Sequence, residues 1–148
     1  MSAIRVAIET CPLAPARALG DDGASGARVV FSGQVRDEQG KVQALFLEHY
    51  PGMTEAAMEN IARAAQQRWP VNLIEIIHRV GELAVGDEIV RVTVCAAHRQ
   101  AAFEACAFLM DVLKSEVPLW KKVLSGGVWH WVEARDDDAR AAARWRAP

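Results

Sequence analysis

Apolar positions alternate with polar ones in some stretches of this chain and recur at helical spacing in others, and the switches between these periods mark its elements. Ile4, Val6 and Ile8 alternate with polar or small residues, which predicts a short first strand. Residues 10–27, TCPLAPARALGDDGASGA, are so rich in Pro, Gly, Ala and Asp that they read as loop. Residues 28–36 form a β-branched run interrupted by Gly33, and a glycine inside a strand marks a bulge or a close backbone approach. The polar turn DEQGK follows, and residues 42–49 predict a second strand, hairpinned to the first. Tyr50-Pro51-Gly52 breaks it. Thr54 is placed to cap a helix running to Trp69, with Met58, Ile61, Ala62, Ala65 and Trp69 as its buried stripe and Pro70 as its stop. Residues 73–80 and 88–96 predict strands separated by Gly81 and the Gly86-Asp87 turn, with Val90, Val92 and Val94 on one side.

The longest helical pattern covers residues 99–114. Phe103, Cys106, Ala107, Met110 and Leu113 share one face, while Ala105, Phe108, Leu109 and Val112 fill much of the rest. A helix this apolar belongs in a core or an interface. Residues 119–124 and 128–132 then flank Ser125-Gly126-Gly127 as two strands, the second carrying Trp129 and Trp131 on one face. A last helix opens at Asp136 to Asp138 and carries Arg140, Arg144 and Arg146 toward its end, the charge order its dipole favours. Strands interleaved with helices and joined by hairpins indicate an α+β fold. The length of 148 residues suits one domain, 1–148.

Composition removes several functions. A net charge of −2 argues against non-specific nucleic-acid binding. No apolar run approaches the ~20 residues that span a bilayer, and MSAIRVAIETC lacks the layout of a signal peptide. The expected location is therefore cytoplasmic. Cys11, Cys95 and Cys106 have no C-x-x-C spacing, and the last two lie in apolar elements where thiols are inert. His49, His78, His98 and His130 are scattered, so neither a metal nor a cofactor is expected.

What remains is a set of cations at element ends: Arg36, His98, Arg99, Lys114, Lys121, Lys122 and Arg135. Lys114, near a helix end, suits the dipole and needs no function, whereas Arg99 opposes it and asks for another reason. Bases at a helix N-terminus suit a phosphate, and crowded lysines lower each other's pKa, freeing one for proton or acyl transfer. Sixteen residues rising ~1.5 Å each hold Arg99 and Lys114 roughly 23 Å apart. One small ligand cannot touch both ends, so a single site using both needs a homodimer.

At these residues the chain resembles the large, catalytic subunit family of molybdopterin synthase. The matching stretches are FSGQVRD (31–37), LEHYPGMTE (47–55), RWP (68–70), IHRVGELAVGDEIV (77–90), AHRQAAFEA (97–105), MDVLKSEVPLWKK (110–122) and WVEARD (131–136), in the family's order. The resemblance implies an α/β hammerhead-like fold with two main helices and a C-terminal helix. It also implies a homodimer binding two small ubiquitin-like sulfur-carrier subunits, a heterotetramer. Each carrier would bring a C-terminal Gly-Gly thiocarboxylate, and the enzyme, a sulfurtransferase of molybdenum cofactor biosynthesis, would convert cyclic pyranopterin monophosphate into the molybdopterin dithiolene. By motif, Lys114 and Lys121 are the catalytic pair. Gln34, Val35, Arg36, His98, Arg99, Lys122, Val123 and Arg135 look like substrate-pocket residues, with Val123 standing where the family often has an acid. A non-catalytic assembly subunit is the alternative, which retention of both lysines disfavours; a nucleotide-binding regulator is a third reading.

Overall fold

The computed structural model of the chain describes residues 3–20, 23–133 and 136–146. Its elements, in order, are β1 (Ala3–Glu9), β2 (Ala27–Gln34), β3 (Ala44–His49), α1 (Met53–Arg68), β4 (Val71–Arg79), β5 (Gly81–Ala84), β6 (Glu88–Ala96), α2 (Arg99–Glu116), β7 (Leu119–Ser125), β8 (Val128–Val132) and α3 (Asp136–Ala143). They build two four-stranded sheets, ordered β1-β4-β6-β2 and β5-β3-β7-β8. Among the described residues only the β1–β4 pairing is parallel. The α+β expectation holds.

Three local expectations are corrected. β2 and β3 do not form a hairpin: β2 pairs with β6, while β3 pairs with β5 and β7 in the other sheet. Apolar alternation specifies a strand and its inward face but not its partner, and β6, buried along most of its length, is the better template. The short strand β5 was not expected; only Leu83 of its four residues is buried, too little for a pattern. Thr54 does not cap α1. Gly52 takes that position, and its N–H is accepted by Glu55 Oε1 at 3.0 Å. The break in β2 does fall where Gly33 predicts it, as a register shift between Gly33 and Gln34.

The main core lies between the first sheet and helices α1 and α2. Ile74, Ile76, Val92 and Val94 meet Met58, Ala62, Ala65, Ala105 and Leu109 there, all of them fully enclosed. Each such side chain of valine size or larger contributes roughly 1.5–3 kcal/mol by leaving water. A smaller core, Val35, Val42, Leu45, Leu47, Val80 and Leu83, sits under the second sheet. The N-terminal loop lies along the first sheet, where Arg91 donates to Ala14 O at 2.8 Å and Arg28 to Leu19 O at 2.9 Å. α3 docks on α2 through Trp145, which meets Trp69 and Phe108 edge-on and donates to Asp111 at 2.6 Å. Among the described residues no helix is long and apolar enough to cross a membrane.

His78, in β4, is buried in this framework with Nδ1 2.9 Å from Arg79 O. Burial pushes its pKa below the ordinary 6.5, and the hydrogen bond only partly offsets this. The unfolded chain therefore takes up the proton more readily than the folded one. Stability is full above pH 6.5 and falls as the pH drops from there toward the depressed folded value. The expected result is that the denaturation midpoint drops between about pH 7.5 and about pH 5, and drops less in His78→Gln, whose side chain does not titrate. Equal losses in both proteins would remove His78 as the cause.

Candidate active site

The two ends of α2 carry separate groups of cations. At its N-terminus His98 occupies the cap position with extended backbone and no side-chain capping bond. The first turn holds no acid, so the dipole and its free amides are not neutralised from within the helix. His98, Arg99, Gln100 and Phe103 line an open cavity of about 660 Å³ with Gly26 and Glu104. A Cβ on Gly26 would stand 2.5 Å from Ala97 O, so only glycine lets the loop close beside this turn. Glu104, the acid in the lining, is already engaged, accepting from Trp69 Nε1 at 2.8 Å and from Gln100 Nε2 at 3.2 Å. An anion is the ligand this corner suits.

At the other end Lys114 lies exposed in the last turn, and two residues, Val117 and Pro118, lead into β7. Lys121 stands opposite Leu47 and Val132, whereas Lys122 stands opposite Phe46 and Trp131. Neighbours along a strand point to opposite faces. Lys121 thus shares the side of Leu119 and Val123, which pack on the smaller core, and emerges at its rim. Lys122 lies on the outer face, its Nζ 4.8 Å from the ring centroids of both Phe46 and Trp131. The crowding expected of adjacent lysines is therefore absent between these two; their spacing in sequence turns them apart.

The remaining predicted residues are dispersed. Gln34 is exposed at the end of β2. Val35 is buried, and both its backbone groups are taken: its N–H donates to Asp87 O at 3.0 Å and its carbonyl accepts from Gly86 N–H at 2.9 Å. Arg36 is exposed and pairs with Glu38 at 3.4 Å. Val123 is half-buried against the smaller core, so its side chain serves packing. Arg135 lies outside the described residues. The Cys106 thiol is pushed up to about 11 by burial, and Cys95 is buried with its Sγ 3.4 Å from Leu19 O. At that value Cys106 offers no thiolate for chemistry, and Cys95 is enclosed away from any substrate.

The family model for MoaE protein matches residues 8–116. The molybdopterin synthase catalytic subunit of Vibrio cholerae is 48% identical over 130 residues, covering 86% of this chain and 87% of its own. The chain belongs to the MoaE family. It is accordingly a sulfur-transferring enzyme of molybdenum cofactor biosynthesis, of the molybdopterin synthase catalytic-subunit type. A solved molybdopterin biosynthesis MoaE protein from Burkholderia ambifaria superposes with a TM-score of 0.78 at 42% identity, over 98% of both chains. A Helicobacter pylori complex of subunits 1 and 2 of molybdopterin-converting factor contains the same fold, with a TM-score of 0.71 at 20% identity over 88% of this chain and 91% of that one.

In this MoaE chain α2 is one unbroken helix, so the His98–Arg99 corner and Lys114 remain roughly 23 Å apart, at ~1.5 Å per residue. A single copy does not unite them. Sequence reasoning, which took Thr54 for a cap, also missed its role: it is fully buried beneath the Lys114–Lys121 connection. Its Oγ1 accepts from Tyr50 N–H at 2.8 Å and donates to Pro118 O at 2.9 Å, clamping the bend between the two lysines. Thr54→Val keeps the shape and removes both bonds, at an expected cost of about 1–3 kcal/mol in urea unfolding. Turnover should fall more than KM rises, because the bend positions the lysines and does not bind substrate. Unchanged kcat in a protein of normal stability would dismiss the clamp.

Proposed function

We propose that this chain works as a cytoplasmic homodimer in which each active site combines Lys114 and Lys121 of one copy with His98, Arg99 and Arg135 of the other. The substrate is cyclic pyranopterin monophosphate, and sulfur arrives as the Gly-Gly thiocarboxylate of a small ubiquitin-like carrier bound to each half. The observation that carries the reading is the placement of exposed cations at both ends of one unbroken helix, too far apart for one ligand in one copy.

His98 and Arg99 hold the phosphate, aided by the unpaired amides of the first turn of α2. Lys114 contacts the thiocarboxylate carbonyl and moves the proton, while Lys121 stabilises charge developing on the pterin. Arg36 and Gln34 extend the wall, and Lys122, already held between two rings, buttresses it. Each transfer breaks the carrier's C–S bond and one pterin C–O bond as the pterin C–S bond forms, and water adding to the carrier's acyl carbon leaves the tail a carboxylate. Two carriers are consumed per dithiolene. The buried state of Cys95 and Cys106 supports an external sulfur source. Free thiols throughout the described residues suit a reducing compartment.

The test mixes the purified chain with thiocarboxylated carrier and pterin substrate, following dithiolene product and the carrier's mass. Product together with sulfur-for-oxygen exchange on the carrier is expected. A stable complex without product would instead mark a non-catalytic assembly subunit.

A further inference from the structure

The end of β6 is held from both sides before the chain turns into α2. Ala96 is fully buried and lies opposite both Ala27 of β2 and Val71 of β4. Beyond Val71 the β4–β6 register shifts, which leaves Asn72 as the extra residue of a β-bulge before Leu73. A bulge re-aims the side chain it frees. Here the Asn72 amide reaches the chain entering β2, on the far side of β6, donating to Ala24 O at 3.2 Å and to Ser25 Oγ at 2.9 Å. One residue on, Gly26 lies flush against the turn that leads to His98. A Cβ there would stand 2.5 Å from Ala97 O, a backbone atom that yields only if the turn or the loop moves. Gly26 and Ala97 line the same cavity as His98 and Arg99. The loop is seated as tightly further back, where a Cβ on Gly20 would come within 2.7 Å of Cys95 Sγ.

We propose that Asn72 and Gly26 are positioning residues for the anion corner at the start of α2. Both act through His98 and Arg99 rather than on substrate. Asn72 pins residues 24–25, which seats Gly26 against Ala97, and Ala97 immediately precedes His98 at the helix cap. This line of contacts sets where the His98 ring, the Arg99 guanidinium and the free amides of the first turn converge. Groups aimed at a compact ligand lose much of their effect when displaced by about 1 Å. The inference rests on the reading that this corner takes the substrate phosphate, and it names the residues that hold the corner in shape.

The experiment measures kcat and KM for the pterin substrate, with saturating thiocarboxylated carrier, in Asn72→Ala, Ser25→Ala, Gly26→Ala and Arg99→Ala chains. Asn72→Ala, which loses both bonds, should raise KM by about threefold to tenfold, and Ser25→Ala, which loses one, by less. Gly26→Ala should raise it by about tenfold or more. In all three kcat should change less than KM, and carrier affinity and the circular-dichroism spectrum should match the parent chain. Unchanged KM in Asn72→Ala and Gly26→Ala beside a raised KM in Arg99→Ala overturns the positioning role and leaves the phosphate corner standing. Unchanged KM in Arg99→Ala overturns the phosphate reading on which the proposal rests. A parallel loss of kcat, carrier affinity and helical signal in Asn72→Ala makes it a residue of the fold alone and also overturns the proposal.

Discussion

Lys114→Ala is expected to lower product formation by about 10²- to 10⁴-fold, the range for losing a positioned proton-transfer group, while the sulfur carrier stays bound. Lys114 is exposed in the last turn of α2, where the helix keeps its hydrogen bonds whatever the side chain. The substitution removes an ammonium without opening a cavity, so stability should change by less than about 0.5 kcal/mol. Loss of activity can then be read as chemistry. The measurement is single-turnover product formation with carrier binding followed in parallel. Near-normal turnover would remove Lys114 from the reaction, and lost carrier binding would move its role from chemistry to docking.

A second large effect is a gain. Arg99→Ala and Lys114→Ala chains should each be nearly inactive, the first mainly through a raised substrate requirement. Refolded together they should recover activity. In a mixed dimer one site receives the intact Arg99 of one chain and the intact Lys114 of the other, while the second site carries both lesions. Random pairing makes half the dimers mixed, each with one good site, so recovery approaches about a quarter of the wild-type rate. Sites confined to one chain would recover nothing. The distinction follows from α2 being one unbroken helix: its two ends meet one phosphorylated ligand only if a second copy runs the other way.

The local side of this architecture was legible in residue order. Alternation in 4–8, 73–80 and 88–96 placed β1, β4 and β6, the 3.6-residue recurrence placed α1 and α2, and Gly33 marked the break in β2. Such patterns follow from backbone geometry, because a strand turns its side chains over every residue and a helix brings them round every three or four. The inertness of Cys95 and Cys106 could be read the same way, from their apolar neighbours.

Pairing between distant strands is not encoded locally, since any apolar strand can in principle lie beside any other. The hairpin expected between β2 and β3 failed for this reason, and β3 instead brings Phe46 beside Lys122. The Phe46–Lys122–Trp131 sandwich joins three strands whose register is set only by the assembled sheet. Thr54 looked like a cap because its type suits one, yet folding carries Pro118 to its hydroxyl from 64 residues away.

By itself, then, the order of residues determined which segments are helix or strand, which faces are apolar, and which cations stand at the ends of α2, because these depend on neighbours a few bonds apart. Only the tertiary structure decided which strands lie beside Lys121 and Lys122, that Val35 is buried with its backbone spent, and that Phe103 remains exposed. Those outcomes depend on which distant surfaces exclude water from one another, and that is settled only when the whole chain has closed.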